Sequence, residues 1–359
     1  MTPSIHESRF FFLACQNGAE AYLRQELLVE GGVLRLAFSR PGLLTIKILD
    51  DSQHGWEPHF QKLAEHWLVR RAGVGLGHLR FSTAEQLTAE CLALGGVDWH
   101  SIHVFQRDTA LPGTDGFEPG PNPLTQAVEE RIRKKLSELG KLTPVGQVAP
   151  MGGQVLDVVL VEPNQWLVGF HPVTNSHQSI PGGVYEVSTP PEIVSRAYVK
   201  LGEALMWSNL PLQIGDNVVE IGSAPGGSCQ RLLDMGMTVT GIDPAEMDPR
   251  LKQHPRFQHW RGKSSSIKRK QYSRFKWLTA DANVAPKYTL DAIEDIVTYP
   301  TSNFSGLLLT LKLTQTSLYQ QIPEYVERVR SWGFDQVKVR QLASNRKECC
   351  LAALCSEKR

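Results

Sequence analysis

The chain has 359 residues, of which 41% are hydrophobic and 21% charged, and its formal net charge is +1. That length supports two or three domains with real cores, and the near-neutral balance means that a polyanion must be met by local basic patches. The six cysteines show no C-x-x-C spacing, which argues against a disulfide framework or a zinc site, and no apolar run approaches the length that crosses a bilayer. The first eight residues lack a basic leader region, so the expectation is a cytoplasmic monomer with no membrane contact and no metal.

Residues 9–15 read as a strand, followed by a helix over Ala19–Val29 with Leu23, Leu27 and Leu28 on one face and Gly31-Gly32 as its stop. Strands at Val33–Phe38 and Leu43–Ile48 flank the turn Ser39-Arg40-Pro41-Gly42, making a small α+β unit over residues 1–60. Phe10–Phe12 invite a base-stacking reading, but three aromatics in an apolar strand are more often core. Helical patterns follow at Glu57–Ala72 and Thr83–Leu94, then a strand at His103–Arg107 and a Pro/Gly/Asp-rich loop over 109–123. The helix Leu124–Leu139 carries Arg131, Arg133, Lys134 and Lys135, and Val155–Val161 with Gln165–Phe170 forms a hairpin around Glu162-Pro163-Asn164.

The second half alternates strand and helix. A helix from Glu192 to Leu205 leads into the buried strand Val218–Ile221 and the turn Gly222-Ser223-Ala224-Pro225-Gly226-Gly227. The helix Cys229–Gly236 and the strand Thr238–Ile242 follow, with Asp243 at the strand tip, 23 positions after Glu220. This is a nucleotide-binding half-unit in which the acid takes ribose hydroxyls, although the turn lacks the Gly-x-Gly-x-x-Gly pattern of dinucleotide enzymes. Strands at Phe257–Lys263, Lys276–Ala280, Gly306–Lys312, Asp335–Gln341 and Cys349–Cys355, with helices at Tyr288–Thr298 and Tyr319–Trp332, complete a doubly wound, mostly parallel α/β sheet of Rossmann-like type. Arg261 to Lys276 holds seven basic residues in sixteen and no acid, so Arg261, Lys268, Arg269, Lys270 and Arg274 are candidate RNA phosphate contacts or else a solvated loop.

Four charged residues fall where this topology gathers side chains: Lys200 on the entry helix, Asp281 and Lys312 at strand tips, and Glu348 at the start of the last strand. Lys312 ends the apolar strand Leu307–Leu311, which suggests a partly desolvated amine. Lys-Asp-Lys-Glu in this order, with Ser-Ala-Pro-Gly-Gly between the first two, resembles the tetrad of the FtsJ-type ribose 2′-O-methyltransferases. Ser195-Arg196-Ala197-x-x-Lys200-Leu201-x-Glu203-Ala204 and Ser344-Asn345-Arg346-Lys347-Glu348 carry the same resemblance, and within it the chain more closely resembles the large-subunit ribosomal RNA (cytidine 2′-O) methyltransferase M family, the RlmM type.

The resemblance implies an N-terminal unit (1–60), a THUMP-like RNA-binding domain (61–183) and a catalytic domain (184–359) that uses S-adenosylmethionine (SAM). Gly222, Ser223, Ala224, Pro225, Gly226 and Gly227 would line the cofactor's methionine and ribose, with Asp243 on the ribose hydroxyls and Asp281 beside the methyl donor. Lys312 would be the general base, with Lys200 and Glu348 completing the tetrad. Ala197 stands at a cofactor-contact position where the family has serine, and Lys263 stands where it has an aspartate near the adenine. A base N-methyltransferase would carry an Asn-Pro-Pro-Tyr-like tip where this chain has Asp281-Ala282-Asn283. The non-enzyme alternative is an RNA-binding protein that keeps the fold without turnover.

Overall fold

A computed structural model describes residues 9–30, 32–49, 55–80, 89, 99–143 and 148–356. The chain divides into two compact units, Met1–Tyr185 and Glu186–Arg359. The helix expected over Thr83–Leu94 lies outside the described residues apart from one position.

In the first unit β1 (Phe10–Ala14), α1 (Glu20–Leu27), β2 (Leu34–Arg40), β3 (Leu43–Ile48), α2 (Glu57–Glu65) and β4 (Arg71–Arg80) come first. Then follow β5 (Ser101–Gln106), α3 (Pro123–Glu138), β6 (Gln154–Glu162) and β7 (Gln165–Pro172). One sheet of order β2-β3-β1-β4-β7-β6-β5 joins them, so the stretches expected as 1–60 and 61–183 share a sheet through the pairing of β1 with β4.

The helix expected over Glu57–Ala72 stops at Glu65, and Arg71–Arg80 is instead a strand. Glycines at 73, 75 and 77 hide that strand from propensity. Gly73 is there for space: a Cβ at it would lie 2.2 Å from the Phe12 ring, and one at Gly169 on the neighbouring strand would lie 2.7 Å from the same ring. Two buried arginines at the start of β4 hold the segment that follows β7. Arg70 forms a bidentate pair with Asp108 and donates to the Gly182 carbonyl at 3.1 Å, while Arg71 donates to the carbonyls of His177 and Ile180. Arg71 also lies 2.9 Å from His171, the residue that with Asp157 and His103 makes the first unit's compact group of possible metal donors. A buried guanidinium already supplies the cation there, opposite a single carboxylate.

In the second unit α4 (Ala197–Ser208) precedes β8 (Asn217–Ile221), α5 (Gly227–Asp234), β9 (Thr238–Asp243), α6 (Pro249–Lys252), β10 (Phe257–Arg261) and β11 (Trp277–Ala280). The chain closes with α7 (Pro286–Val297), β12 (Gly306–Lys312), α8 (Thr316–Gln320), α9 (Ile322–Ser331), β13 (Gln336–Arg340) and β14 (Glu348–Leu354). The sheet order is β10-β9-β8-β11-β12-β14-β13, with β10 to β12 parallel and β14 antiparallel to both neighbours. This is the expected doubly wound, mostly parallel sheet. Its strand order reverses between β8 and β11, which opens a crevice at their carboxyl ends.

Two helix expectations are corrected. Residues 192–196 are not helical, because Val194 donates its N–H to Gln230 Oε1 at 2.8 Å and the chain turns into α4 only at Ala197. The helix expected over Tyr319–Trp332 is broken at Gln321, where Pro323 removes a ladder donor.

Gly73→Ala should destabilise the first unit by about 1–3 kcal/mol through overpacking against Phe12. A calorimetric melt checks this, and an unchanged transition would contradict the close approach.

Candidate active site

The glycine turn begins where β8 ends at the sheet's switch point. Gly222 has φ 77°, and a Cβ there would lie 2.9 Å from both Ala282 Cα and the Asp281 carbonyl oxygen. Only glycine therefore lets the turn pass against the tip of β11. At Gly227 a Cβ would strike Ser195 Oγ at 2.2 Å and the backbone at the start of α4, so α4 and α5 meet at a bare glycine. Asp243, half-buried at the tip of β9, accepts the Ala224 N–H at 3.1 Å and the Ala245 N–H at 2.8 Å. One bond on each oxygen leaves each a free lone-pair direction, the capacity needed for a pair of hydroxyls.

Sheet register assembles the charged residues. Lys312 and Glu348 are direct cross-strand partners at the ends of β12 and β14. Asp281 is the first residue past β11, the strand that pairs with β12, and Lys200 approaches from α4. The result is a closed ring of alternating charge. Lys200 Nζ lies 2.8 Å from Asp281 Oδ2 and 2.6 Å from Glu348 Oε1, and Lys312 Nζ lies 2.6 Å from Asp281 Oδ1 and 2.6 Å from Glu348 Oε2. The side chains are 16%, 17%, 17% and 5% exposed for Lys200, Lys312, Asp281 and Glu348, so the ring is open to solvent on one side.

The electrostatics follow from that geometry. Burial pulls the Lys312 ammonium down, but the Asp281 and Glu348 carboxylates, each acting by charge and hydrogen bond, outweigh it and hold Lys312 above the ordinary lysine range. Burial raises Asp281, yet the two lysines overcome this and keep it below the usual carboxylate value. The sequence left that balance open; in the free ring Lys312 is protonated.

Two residues outside the four-charge ring support it. Glu203, one turn beyond Lys200 on α4, accepts the N–H groups of Ala343 at 3.0 Å and Ser344 at 2.8 Å, as well as the Ser344 hydroxyl. It thereby fixes the loop that presents Glu348. The motif around Lys200 included it, three positions on along the same helix, without indicating this role. Glu220 lies fully buried beneath the ring, bonded to Thr279, and burial pushes it up to about 8. It is therefore a neutral acid at pH 7. The space between it and the ring is small, about 20 Å³, so a substrate reaches the ring from the outer side.

The remaining predicted residues are distributed as follows. Ala197 starts α4, and Ser223 is buried with its hydroxyl 3.4 Å from Met247 Sδ. Pro225 and Gly226 continue the turn, with a Cβ at Gly226 meeting Leu251. Lys263 is exposed just past β10, beyond Gly262, whose N–H bonds the Asp243 carbonyl at 3.1 Å. In the basic loop Arg261 pairs with Glu246 and Arg269 with Asp295. Arg274 bonds Gln258 at 2.8 Å and stacks over the Trp260 and Phe275 rings. Lys268 and Lys270 stand exposed.

The crevice suits an S-adenosylmethionine molecule. The turn offers backbone rather than side chains, Asp243 keeps two free acceptor directions, and Ser195 Oγ is buried beside Gly227 without a partner.

Residues 193–348 match the model of the FtsJ-like methyltransferase family. Among curated proteins, a "Ribosomal RNA large subunit methyltransferase M" from Shewanella sediminis is 26% identical over 57% of this chain and 59% of its own length. One of the same name from Marinobacter nauticus is 24% identical over 86% of this chain and 87% of its own. The chain thus spans little more than half the length of some of these relatives. Among solved structures, a fibrillarin from Aeropyrum pernix with natively bound S-adenosyl-L-methionine aligns at TM-score 0.34 and 14% identity, over 57% of this chain and 84% of that one.

A neutral Glu220 makes a prediction about stability. Its folded value of about 8 exceeds the ordinary glutamate value, so its contribution is present at acid pH and is lost as pH rises towards 8. Glu220→Gln should flatten that decline in urea titrations at several pH values, and an unchanged pH slope would contradict a buried neutral acid. Residues 193–348 are thus similar to the FtsJ-like methyltransferases, and the chain is similar to proteins named ribosomal RNA large subunit methyltransferase M.

Proposed function

We propose that the protein methylates a ribose 2′-hydroxyl of RNA with S-adenosylmethionine, with large-subunit ribosomal RNA as the substrate and a cytidine as the nucleotide. The observation that carries this reading is the four-charge ring set at the strand ends beside the glycine turn and Asp243. The relatives' names support ribosomal RNA as the substrate.

S-adenosylmethionine supplies an electrophilic methyl group when bound. A ribose hydroxyl attacks it only once its proton is accepted, and Lys312 Nζ is the base. In the free ring Lys312 shares its protons with Asp281 and Glu348, which also fix the direction of its lone pair once it is neutral. Lys200 keeps both carboxylates compensated while Lys312 is uncharged. A cation brought next to Asp281 lowers the affinity of Lys312 for its proton, so occupation of the cofactor site prepares the base.

Lys312→Ala should abolish methyl transfer while calorimetric SAM binding survives; an active variant would remove Lys312 as the base, and absent SAM binding in the wild type would favour an RNA-binding protein without turnover. Because the folded ring holds Lys312 above its ordinary range, the neutral amine is scarce at pH 7. Transfer at saturating SAM should therefore rise as pH increases through the alkaline range, and a flat profile would contradict the assignment.

We also infer that the basic loop contacts RNA through Lys268 and Lys270, which stand exposed while Arg261 and Arg269 are paired with acids. Replacing both lysines by Ala should weaken RNA binding and lower the salt slope by about two. Unchanged binding would make the loop solvated surface.

A further inference from the structure

The first unit holds a groove of about 630 Å³ that the proposed methyl transfer does not use. It lies on one face of the sheet, across β2, β3, β1, β4 and β7. Residues alternate between the faces. Phe170, on the opposite face, meets Trp56 edge-on at 5.3 Å, just ahead of α2. The groove's rims are aromatic and basic. Phe10 is 44% exposed with the Lys47 ammonium 5.7 Å from its ring centre. Across the groove Phe38 lies 5.4 Å from the His78 ring, with the Arg40 guanidinium 4.5 Å above it.

Small residues form part of the floor. Gly75 and Gly77 lie along it, and a Cβ at Gly75 would come no closer than 3.4 Å to any atom, so packing does not demand glycine there. Bare floor between aromatic rims is a slot of planar shape.

Charge selects the occupant. Arg9 and Lys47 line the groove, Arg40 stands at its edge, and no carboxylate is among the described lining residues. The nearby acid Glu162 lies 3.7 Å from Arg40 and 3.0 Å from Arg107. Burial, then Arg80 and Arg40, hold His78 below the ordinary histidine range, so it offers a neutral ring plane at physiological pH. Planar apolar surfaces ringed by cations fit a polymer of flat bases joined by phosphates, and a duplex hides its base faces.

We propose that this groove is a stacking site for single-stranded RNA, with bases against Phe10, Phe38 and His78 and phosphates on Arg9, Arg40 and Lys47. It deepens the reading of an RNA-modifying enzyme by giving the first unit a single-stranded flank of the substrate to hold.

The test uses the full chain and a fluorescein-labelled, unstructured oligoribonucleotide of about ten nucleotides, a length within single-strand site sizes. Phe10→Ala with Phe38→Ala should weaken binding by roughly tenfold with the salt slope unchanged, as loss of stacking requires. Gly75→Leu, which fills the slot beside Phe10 while leaving both rim aromatics in place, should do the same. Lys47→Ala should instead lower the salt slope by about one. Affinities within twofold of wild type for both the double variant and Gly75→Leu would overturn the proposal and leave the groove to a protein or apolar partner. Failure of the wild type to bind, or equal binding to a duplex of the same length, would overturn it too. Calorimetric SAM binding by the same variants separates the two readings: intact SAM binding with unaltered RNA affinity sinks only the groove.

Discussion

Four charges of alternating sign, each touching two of the opposite sign, are the interaction on which the second unit depends. Lys200, Asp281, Lys312 and Glu348 sit largely out of water, where removing one partner of a buried pair costs about 3–5 kcal/mol because the other is left uncompensated. The sheet meets that constraint by register. An antiparallel β14 beside a parallel β12 brings Glu348 opposite Lys312, and a parallel β11 delivers Asp281 one strand away. Glu203 then binds the loop before Glu348 to the same helix that carries Lys200. Beneath the ring Glu220 stays neutral and adds no charge to upset the balance.

The same ring sets the terms of its chemistry. A lysine held between two carboxylates is a strong cation and a poor base, so the free site is a resting state. In the proposed mechanism, positive charge arriving beside Asp281 would weaken the hold of Lys312 on its proton.

Much of this was legible in the residues. Lys312 closes an apolar run and Asp281 follows another, so their place at strand ends followed from hydropathy alone, as did the glycine turn and the acid at Asp243. What stayed hidden was set by tertiary contact. β4 is disguised by glycines, of which Gly73 is required by the Phe12 ring, and the start of α4 is delayed by a bond from Val194 to a side chain on another helix. The basic loop shows the limit of counting charges. Arg261 and Arg269 find acids remote in sequence, and Arg274 is stacked on aromatic rings, so the exposed positive surface is smaller than the composition implies. Phe10 and Phe12 divide the two readings of one aromatic strand, the second being core and the first standing exposed on a basic groove.

The central claim is that the ring and the turn together methylate a ribose of ribosomal RNA. Mapping 2′-O-methylation across ribosomal RNA from cells with and without the protein tests it most directly. The account predicts one large-subunit ribose methyl group that disappears with the protein and returns with the wild-type chain. Identical ribose maps, or loss of a base methyl group instead, would contradict it.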